Sequence, residues 1–294
     1  MTNYVKHKRI LLSKLAIIKM TINCRGKILD FSIPKVMGIL NITPDSFYDG
    51  GKYLNEEALI KQVEKMLNDG ADIVDVGGMS SRPGAEIISA EEEIKRVLPV
   101  VQNIIKNFPE AIVSIDTLHS KTADICLKEG VHIINDITGG RYDEQMLTVV
   151  AKHKAPFIIM HMQGLPGTMQ QNPTYQNVVN EIMDFFAERI AACKEAGILD
   201  LILDSGFGFG KTIEHNYTLL RNHQLFSTFH RPMLAGVSRK GMITKLLDIK
   251  ASEALNGTTV LNTVALMNGA SLLRVHDVKE AKEAVRLFSA LTDF

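Results

Sequence analysis

The chain has 294 residues, 46% of them hydrophobic and 22% charged, with 33 Lys+Arg against 33 Asp+Glu. This composition excludes a disordered or fibrous chain, and the balanced charge excludes a global field that would attract nucleic acid or an anionic membrane, so any anion site must be local. No apolar run reaches the ~18 residues of a membrane span, and the three scattered cysteines, Cys24, Cys126 and Cys193, form no CxxC pair, which argues against a disulfide framework or zinc site and for a reducing cytosol.

The length suits one large domain or two small ones. Residues 1–19 are expected to be a poorly ordered extension, or an upstream start ahead of Met20, and residues 20–294 to form one domain. Two short β-prone stretches in 21–33 flank Arg25-Gly26 and predict a hairpin. A strand-then-helix rhythm follows. Strands are predicted over 36–42, 72–76, 111–116, 132–135, 156–162, 199–204, 232–237 and 269–275. Helices are predicted over 56–68, 91–106, 121–129, 144–152, 177–196, 213–222, in segments across 240–267, and over 278–287. Gly70, Gly130 and Gly197 stop three of the helices.

Alternating strands and helices imply a parallel sheet, and eight such units in about 250 residues have the size of a (β/α)8 TIM barrel. The hairpin would cap the bottom of the barrel. The alternative, an open doubly wound sheet, usually divides into two halves, and no linker is visible here.

In such a barrel the active site lies at the C-terminal ends of the strands. All eight predicted strands end in polar residues: Asn41, Asp75, Asp116, Asn135-Asp136, His161, Asp204, Ser238-Arg239-Lys240 and Arg274-Val275-His276. Any one of Asp75, Asp136 or His161 alone reads equally well as a helix cap or a solvated loop residue. The set does not, because Asn41, Asp116, Asn135 and Asp204 directly follow apolar runs and would be left uncompensated unless a ligand or water satisfied them. Asp116, Asn135 and Asp204 suit a flat heterocycle rich in N–H donors, while Arg82, Lys240, Arg274 and His276 suit phosphate. Two long loops rich in Gly and Pro, one starting at Asn41 and one at Gly77, read as closing lids.

Two signals are discounted. The run Ser205-Gly-Phe-Gly-Phe-Gly-Lys-Thr approaches a phosphate-binding P-loop, but Ser205 stands where the pattern needs Gly. Met160, Met162 and Met169 read as packing residues, not metal ligands.

Met37-Gly-Ile-Leu-Asn-Ile-Thr-Pro-Asp-Ser-Phe and Asp75-Val-Gly-Gly-Met-Ser-Ser-Arg-Pro-Gly resemble the two signatures of the dihydropteroate synthases. Ser114-Ile-Asp-Thr, Ile134-Asn-Asp, Asp204-Ser-Gly-Phe-Gly-Phe-Gly-Lys, Ser238-Arg-Lys and Arg274-Val-His-Asp extend the resemblance, in family order, across about residues 36–278. The resemblance implies a transferase of folate biosynthesis, which condenses a dihydropterin diphosphate with p-aminobenzoate to give dihydropteroate and pyrophosphate. It implies Mg2+ at Asn41, and diphosphate binding by Asn41, Ser81, Arg82, Arg274 and His276. Pterin binding falls to Asp116, Asn135, Asp204 and Lys240, and catalysis to Asp116, Arg82 and Lys240. Phe47, Pro83, Phe209 and Ser238 fall at the p-aminobenzoate pocket, which is also the sulfonamide site. A cytoplasmic homodimer built on outer helices near the C-terminus is implied as well, with no membrane or nucleic-acid partner. Met79, Ser205 and Gly241 depart from the family pattern and put drug affinity and loop stiffness in question. A methyltetrahydrofolate-type methyltransferase barrel and a non-catalytic pterin-binding paralogue are the alternatives; the first has no need of the diphosphate anchors.

Overall fold

The computed structural model describes residues 20–42, 52–79 and 84–293. The expected extension 1–19 lies outside them. The chain opens with an antiparallel hairpin of β1 (Thr21–Cys24) and β2 (Lys27–Asp30). Arg25 and Gly26 form its turn, both at positive φ (55° and 92°), which matches the twist of a two-residue hairpin turn.

Eight parallel strands then close into a barrel. They are β3 (Lys35–Asn41), β4 (Ile73–Gly77), β5 (Val113–Asp116), β6 (Ile133–Asp136), β7 (Phe157–Met160), β8 (Leu201–Asp204), β9 (Met233–Ala235) and β10 (Leu272–Val275). Each pairs with its sequence neighbour, and β10 pairs with β3 through Leu272–Lys35 to Val275–Gly38. The predicted barrel is thus the observed one, and the open sheet is excluded by that closing pair. The intervening helices are α1 (Lys52–Asn68), α2 (Ala90–Asn107), α3 (Ser120–Glu129), α4 (Met146–His153), α5 (Val178–Ala196), α6 (Ile213–Asn222), α7 (Gly241–Leu247), α8 (Leu255–Met267) and α9 (Val278–Asp293).

Local chemistry sets the helix ends. Ser89 accepts from Glu92 N to start α2, and Asn177 accepts from Val179 N and Asn180 N to start α5. Gly130 and Gly197 end α3 and α5 in the left-handed region, at φ 111° and 89°. Several strands are shorter than their apolar runs predict: β7 stops at Met160 and β9 holds three residues. Beyond those points the run stays buried, and His161 N still donates to the Asp204 carbonyl at 3.0 Å.

Two apolar layers hold the fold together. One lies between the barrel and its helices and includes Val74, Val97, Ile134, Phe186 and Phe226. The other fills the barrel axis: Met37, Ile73, Ile133, Ile158, Ile202, Leu234 and Leu272, sealed below by Ile22, Cys24, Leu29 and Phe31 from the hairpin. The hairpin is therefore the bottom plug that its position suggests. Cys24, Cys126 and Cys193 are free and buried, in keeping with their reading as small apolar residues.

Candidate active site

Strand periodicity builds the site. Side chains two residues apart share a face, so each axial plug residue is followed, two positions on, by another inward side chain. Ile73 leads to Asp75, Ile133 to Asn135, Ile202 to Asp204, and Leu272 to Arg274. The register sets Gly77 beside both Asn41 and Asp116, and Asp116 beside Asn135. A polar layer therefore sits directly on the apolar plug. Two glycines border it. A Cβ on Gly77 would lie 3.6 Å from Asn41 Oδ1 and from Asp116 Cβ, and one on Gly236 would lie 3.7 Å from Lys240 Nζ and 3.9 Å from Arg274 Cβ.

The layer is internally bonded. Asp75, fully buried, accepts at Oδ2 from Asn135 Nδ2 (3.0 Å) and from Arg274 Nε (2.7 Å). Arg274 Nη2 donates to Asp116 Oδ2 at 2.7 Å. Asp204 Oδ1 accepts from Gly206 N at 2.7 Å. Lys240 Nζ donates to the Phe207 carbonyl and lies 4.7 Å from the centre of the Phe209 ring. Three of the four groups expected to be uncompensated without a ligand are thus compensated within the protein: Asp116 by Arg274, Asn135 by Asp75 and Asp204 by the Gly206 N–H. Asp75 Oδ1 is buried in this layer without a hydrogen bond.

The electrostatics follow from this crowding. Burial pushes Asp116 up to about 7, against the pull of Arg274 and with help from Asp75, Glu93 and Asp136. Burial also raises Asp204, opposed by Lys240 and the Gly206 N–H. Lys240 is pushed down to about 8 by burial, despite Asp204. Burial works against the charge of Arg274, but Asp75 and Asp116 outweigh it and hold the guanidinium more firmly cationic.

Above the layer, Leu118, Ile137, Met160, Met162, Met169 and Phe209 form an apolar shelf, with Met79 packed on it. The methionines are packing residues, as their sequence context implies. Ser238 is buried, and its Oγ lies 3.0 Å from His276 Nδ1 and accepts from the His276 backbone N–H. His276 stands exposed at the rim. Its ring is pushed down to about 4 by desolvation and by Arg239 and Arg274, so near neutrality it offers a neutral N–H donor.

Asn135, Asp204, Asp116, Arg274 and Lys240 thus converge as expected, with Asn41, Ser238, Phe209 and His276 around them. Phe47, Ser81, Arg82 and Pro83 lie outside the described residues. Asp75 is the residue underrated in the sequence: the two-residue step from Ile73 marks it as inward. The same parity turns Asp136 and His161 away. Asp136 accepts from Thr138 N, Thr138 Oγ1 and Gly140 N, capping its own loop, and His161 faces Lys211. Of the departures, Met79 fills the shelf, Gly241 opens α7 with room for a side chain, and the buried Ser205 Oγ has no partner.

A closed parallel barrel with a carboxylate–amide–guanidinium floor defines an enzyme of the pterin-binding barrel class. The family model described as "Pterin binding enzyme" matches residues 37–276. The dihydropteroate synthase of Escherichia coli K12 is 46% identical over 273 residues, 92% of this chain and 96% of that one. That of Streptococcus pyogenes is 40% identical over 260 residues, 87% of this chain and 95% of that one. The Yersinia pestis dihydropteroate synthase, solved with a sulfonamide drug complex, superposes with a TM-score of 0.88 at 41% identity, over 94% of this chain and all of that one. The Xanthomonas albilineans enzyme with 4-aminobenzoic acid gives 0.87 at 36% identity, over 94% and 99%. This chain belongs to the dihydropteroate synthase family. The fold, the site and these relatives favour the synthase over the methyltransferase and paralogue readings.

Proposed function

We propose that the polar layer is where this synthase binds its dihydropterin diphosphate and carries out the transfer to p-aminobenzoate that releases pyrophosphate. The observation that carries the reading is the single inward layer of Asp75, Asp116, Asn135, Asp204, Lys240 and Arg274. Asp75, Asn135 and Asp204 present carboxylate and amide groups to the N–H donors and ring acceptors of the pterin. The orphaned Asp75 Oδ1 gains a partner when an N–H reaches it.

The reaction breaks the C–O bond between the pterin methylene and the diphosphate, and the electron pair leaves with the diphosphate. The nitrogen lone pair of p-aminobenzoate forms the new C–N bond, and that nitrogen then gives up a proton. Positive charge grows in the pterin ring as the C–O bond opens, and ionised Asp116 stabilises it. Arg274 takes a different part from a free diphosphate anchor. Two of its N–H donors are committed to Asp75 and Asp116, so the donors that remain would link the pterin floor to the anion. Phe209 and the apolar shelf, with Ser238, would seat the arylamine. The Xanthomonas albilineans relative holding 4-aminobenzoic acid supports a site for that substrate in this fold.

For Mg2+, the donors fit a shared role. Among the described residues no group of three or more His, Cys, Asp or Glu side chains could hold a metal. The amide oxygen of Asn41 is a hard donor beside Asp116, suited to an ion held mainly by phosphate oxygens. When bound, Mg2+ would neutralise the charge of the leaving diphosphate. Cytoplasmic residence fits the three buried, unpaired cysteines. A homodimer fits the groove between α8 and α9, about 400 Å³, beside which Met267, Leu287 and Leu291 are 66–75% exposed.

The test is pyrophosphate release from the dihydropterin diphosphate with Mg2+, with and without p-aminobenzoate. Release that depends on p-aminobenzoate and yields dihydropteroate is expected. Pterin binding with no release in either condition would overturn the reading.

A further inference from the structure

Lys211 is the lysine of the P-loop-like run, and the site described above does not use it. It is 3% exposed. Its Nζ lies 3.0 Å from His161 Nδ1 and donates to three backbone carbonyls: His161 (3.2 Å), Gly206 (2.9 Å) and Phe209 (3.0 Å). The ammonium has three N–H donors for these four acceptors and a neutral amine only two, so the partners favour the charged form, while burial pulls Lys211 well below the usual lysine range and Asp204 opposes that pull. The imidazole must then carry its proton on Nε2. Burial, with Lys211 and Arg141 nearby, holds His161 neutral. A phosphate cannot reach this group, so the P-loop reading ends here.

What Lys211 gathers is the loop that forms one wall of the pocket. Asp204 enters the loop, and its Oδ1 is capped by Gly206 N. The Phe207 carbonyl accepts Lys240, and the Phe209 ring lies under the same ammonium. The loop presses so closely on the end of β7 that a Cβ on Gly206 would fall 1.9 Å from the His161 carbonyl. The His161, Gly206 and Phe209 carbonyls converge on one point, and the Lys211 amine donates to all three there.

Resting on the assignment of Lys240 and Asp204 to the pterin, we propose that Lys211 is a positioning residue of the synthase: it binds the carbonyls of His161, Gly206 and Phe209 into one cluster and so fixes the backbone and ring that hold the Lys240 ammonium over the pterin site. It touches no substrate, and its effect passes through Lys240.

The experiment compares Lys211→Met, Lys240→Gln and the double variant by steady-state kinetics for each substrate, with melting followed by circular dichroism. Lys211→Met is expected to raise the KM for the dihydropterin diphosphate about tenfold, the scale of one lost charged hydrogen bond. It should add little in the Lys240→Gln background. A lowered melting temperature with unchanged KM and kcat would overturn the proposal, as would losses that simply add in the double variant. Should Lys211→Met fail to fold, His161→Leu and His161→Gln decide. Leu is expected to raise the same KM severalfold, and Gln, which keeps an acceptor oxygen, to restore it; an unchanged KM in His161→Leu overturns the proposal. Wild-type KM in Lys240→Gln would overturn the pterin assignment and this inference with it, whereas a raised KM there beside a normal Lys211→Met variant removes this inference alone.

Discussion

Asp116 carries the sharpest conflict in the molecule. It must be ionised to stabilise a cationic pterin, yet burial pushes it up to about 7. Lys240 must be protonated beside Asp204, yet burial pushes it down to about 8. The two requirements predict a narrow bell in kcat/KM, falling below about pH 7 as Asp116 protonates and above about pH 8 as Lys240 loses its charge. Lys240→Arg keeps a charge that does not titrate in this range, so it should move the alkaline limb out of view; a limb that stays assigns it to another group. Asp116→Asn should cost about 10²–10³ in kcat, as for other preorganised charges. Its effect on stability should have the opposite sign. A carboxyl raised in the folded state contributes stability below its unfolded value, about 3.9, and loses it as pH rises through about 7. The empty enzyme is therefore burdened by ionised Asp116 at pH 8. The asparagine variant should melt higher there, and its advantage should shrink towards pH 5. Thermal melts across that range check the sign.

At the scale of the element, a strand delivers its chemistry by parity. The turn after β8 depends on Gly206 at φ 67°, where a side chain would meet the His161 carbonyl. Gly206→Ala combines backbone strain of about 1–3 kcal/mol with that overlap, so urea unfolding should show at least that loss, together with weaker pterin binding by calorimetry. Asn177→Ala, which removes the α5 cap, should cost about 1 kcal/mol and leave turnover alone. Wild-type stability in the first variant would show that the loop can yield without cost. The same elements show what was legible in the sequence. Apolar runs and glycine stops gave the order of strands and helices, because burial on both faces and left-handed ends leave plain marks at Gly130 and Gly197. Strand ends gave a list of polar residues but did not sort them. Counting in twos from Ile73, Ile133, Ile202 and Leu272 sorts Asp75, Asn135, Asp204 and Arg274 inward, and Asp136 and His161 away. What no pattern in the sequence could supply is the partnership of Arg274 with Asp75 and Asp116, 199 and 158 residues away, since only barrel closure of β10 on β3 brings them together.

That closure also shapes the outside of the molecule. Beside that seam Asp72 meets Lys35, Lys282 and the Val36 backbone N–H, tying the starts of β3 and β4 to α9. α9 is thereby held against the barrel by its Val278, Ala281 and Val285 face, and its other face looks outward. On that face Leu287 and Leu291 are 70% and 75% exposed, and Met267 at the end of α8 is 66% exposed. Scattered apolar residues on a surface need no explanation, but a row of them along one groove is what the proposed homodimer would cover. A second copy is the simplest occupant, because a two-fold contact lets each α9 cover the other's groove. The groove lies on the outer helices and the polar layer inside the barrel, so the pairing should support stability and not chemistry. Leu287→Glu with Leu291→Glu places four like charges across such a contact and should yield a monomer by sedimentation velocity. The monomer should keep kcat at temperatures where it is folded. Its melting temperature should be lower and should no longer rise with protein concentration, as linkage requires of the dimer. A wild-type protein that sediments as a monomer at the same concentration would remove the homodimer. A charged variant that stays dimeric would move the interface to another face of the barrel.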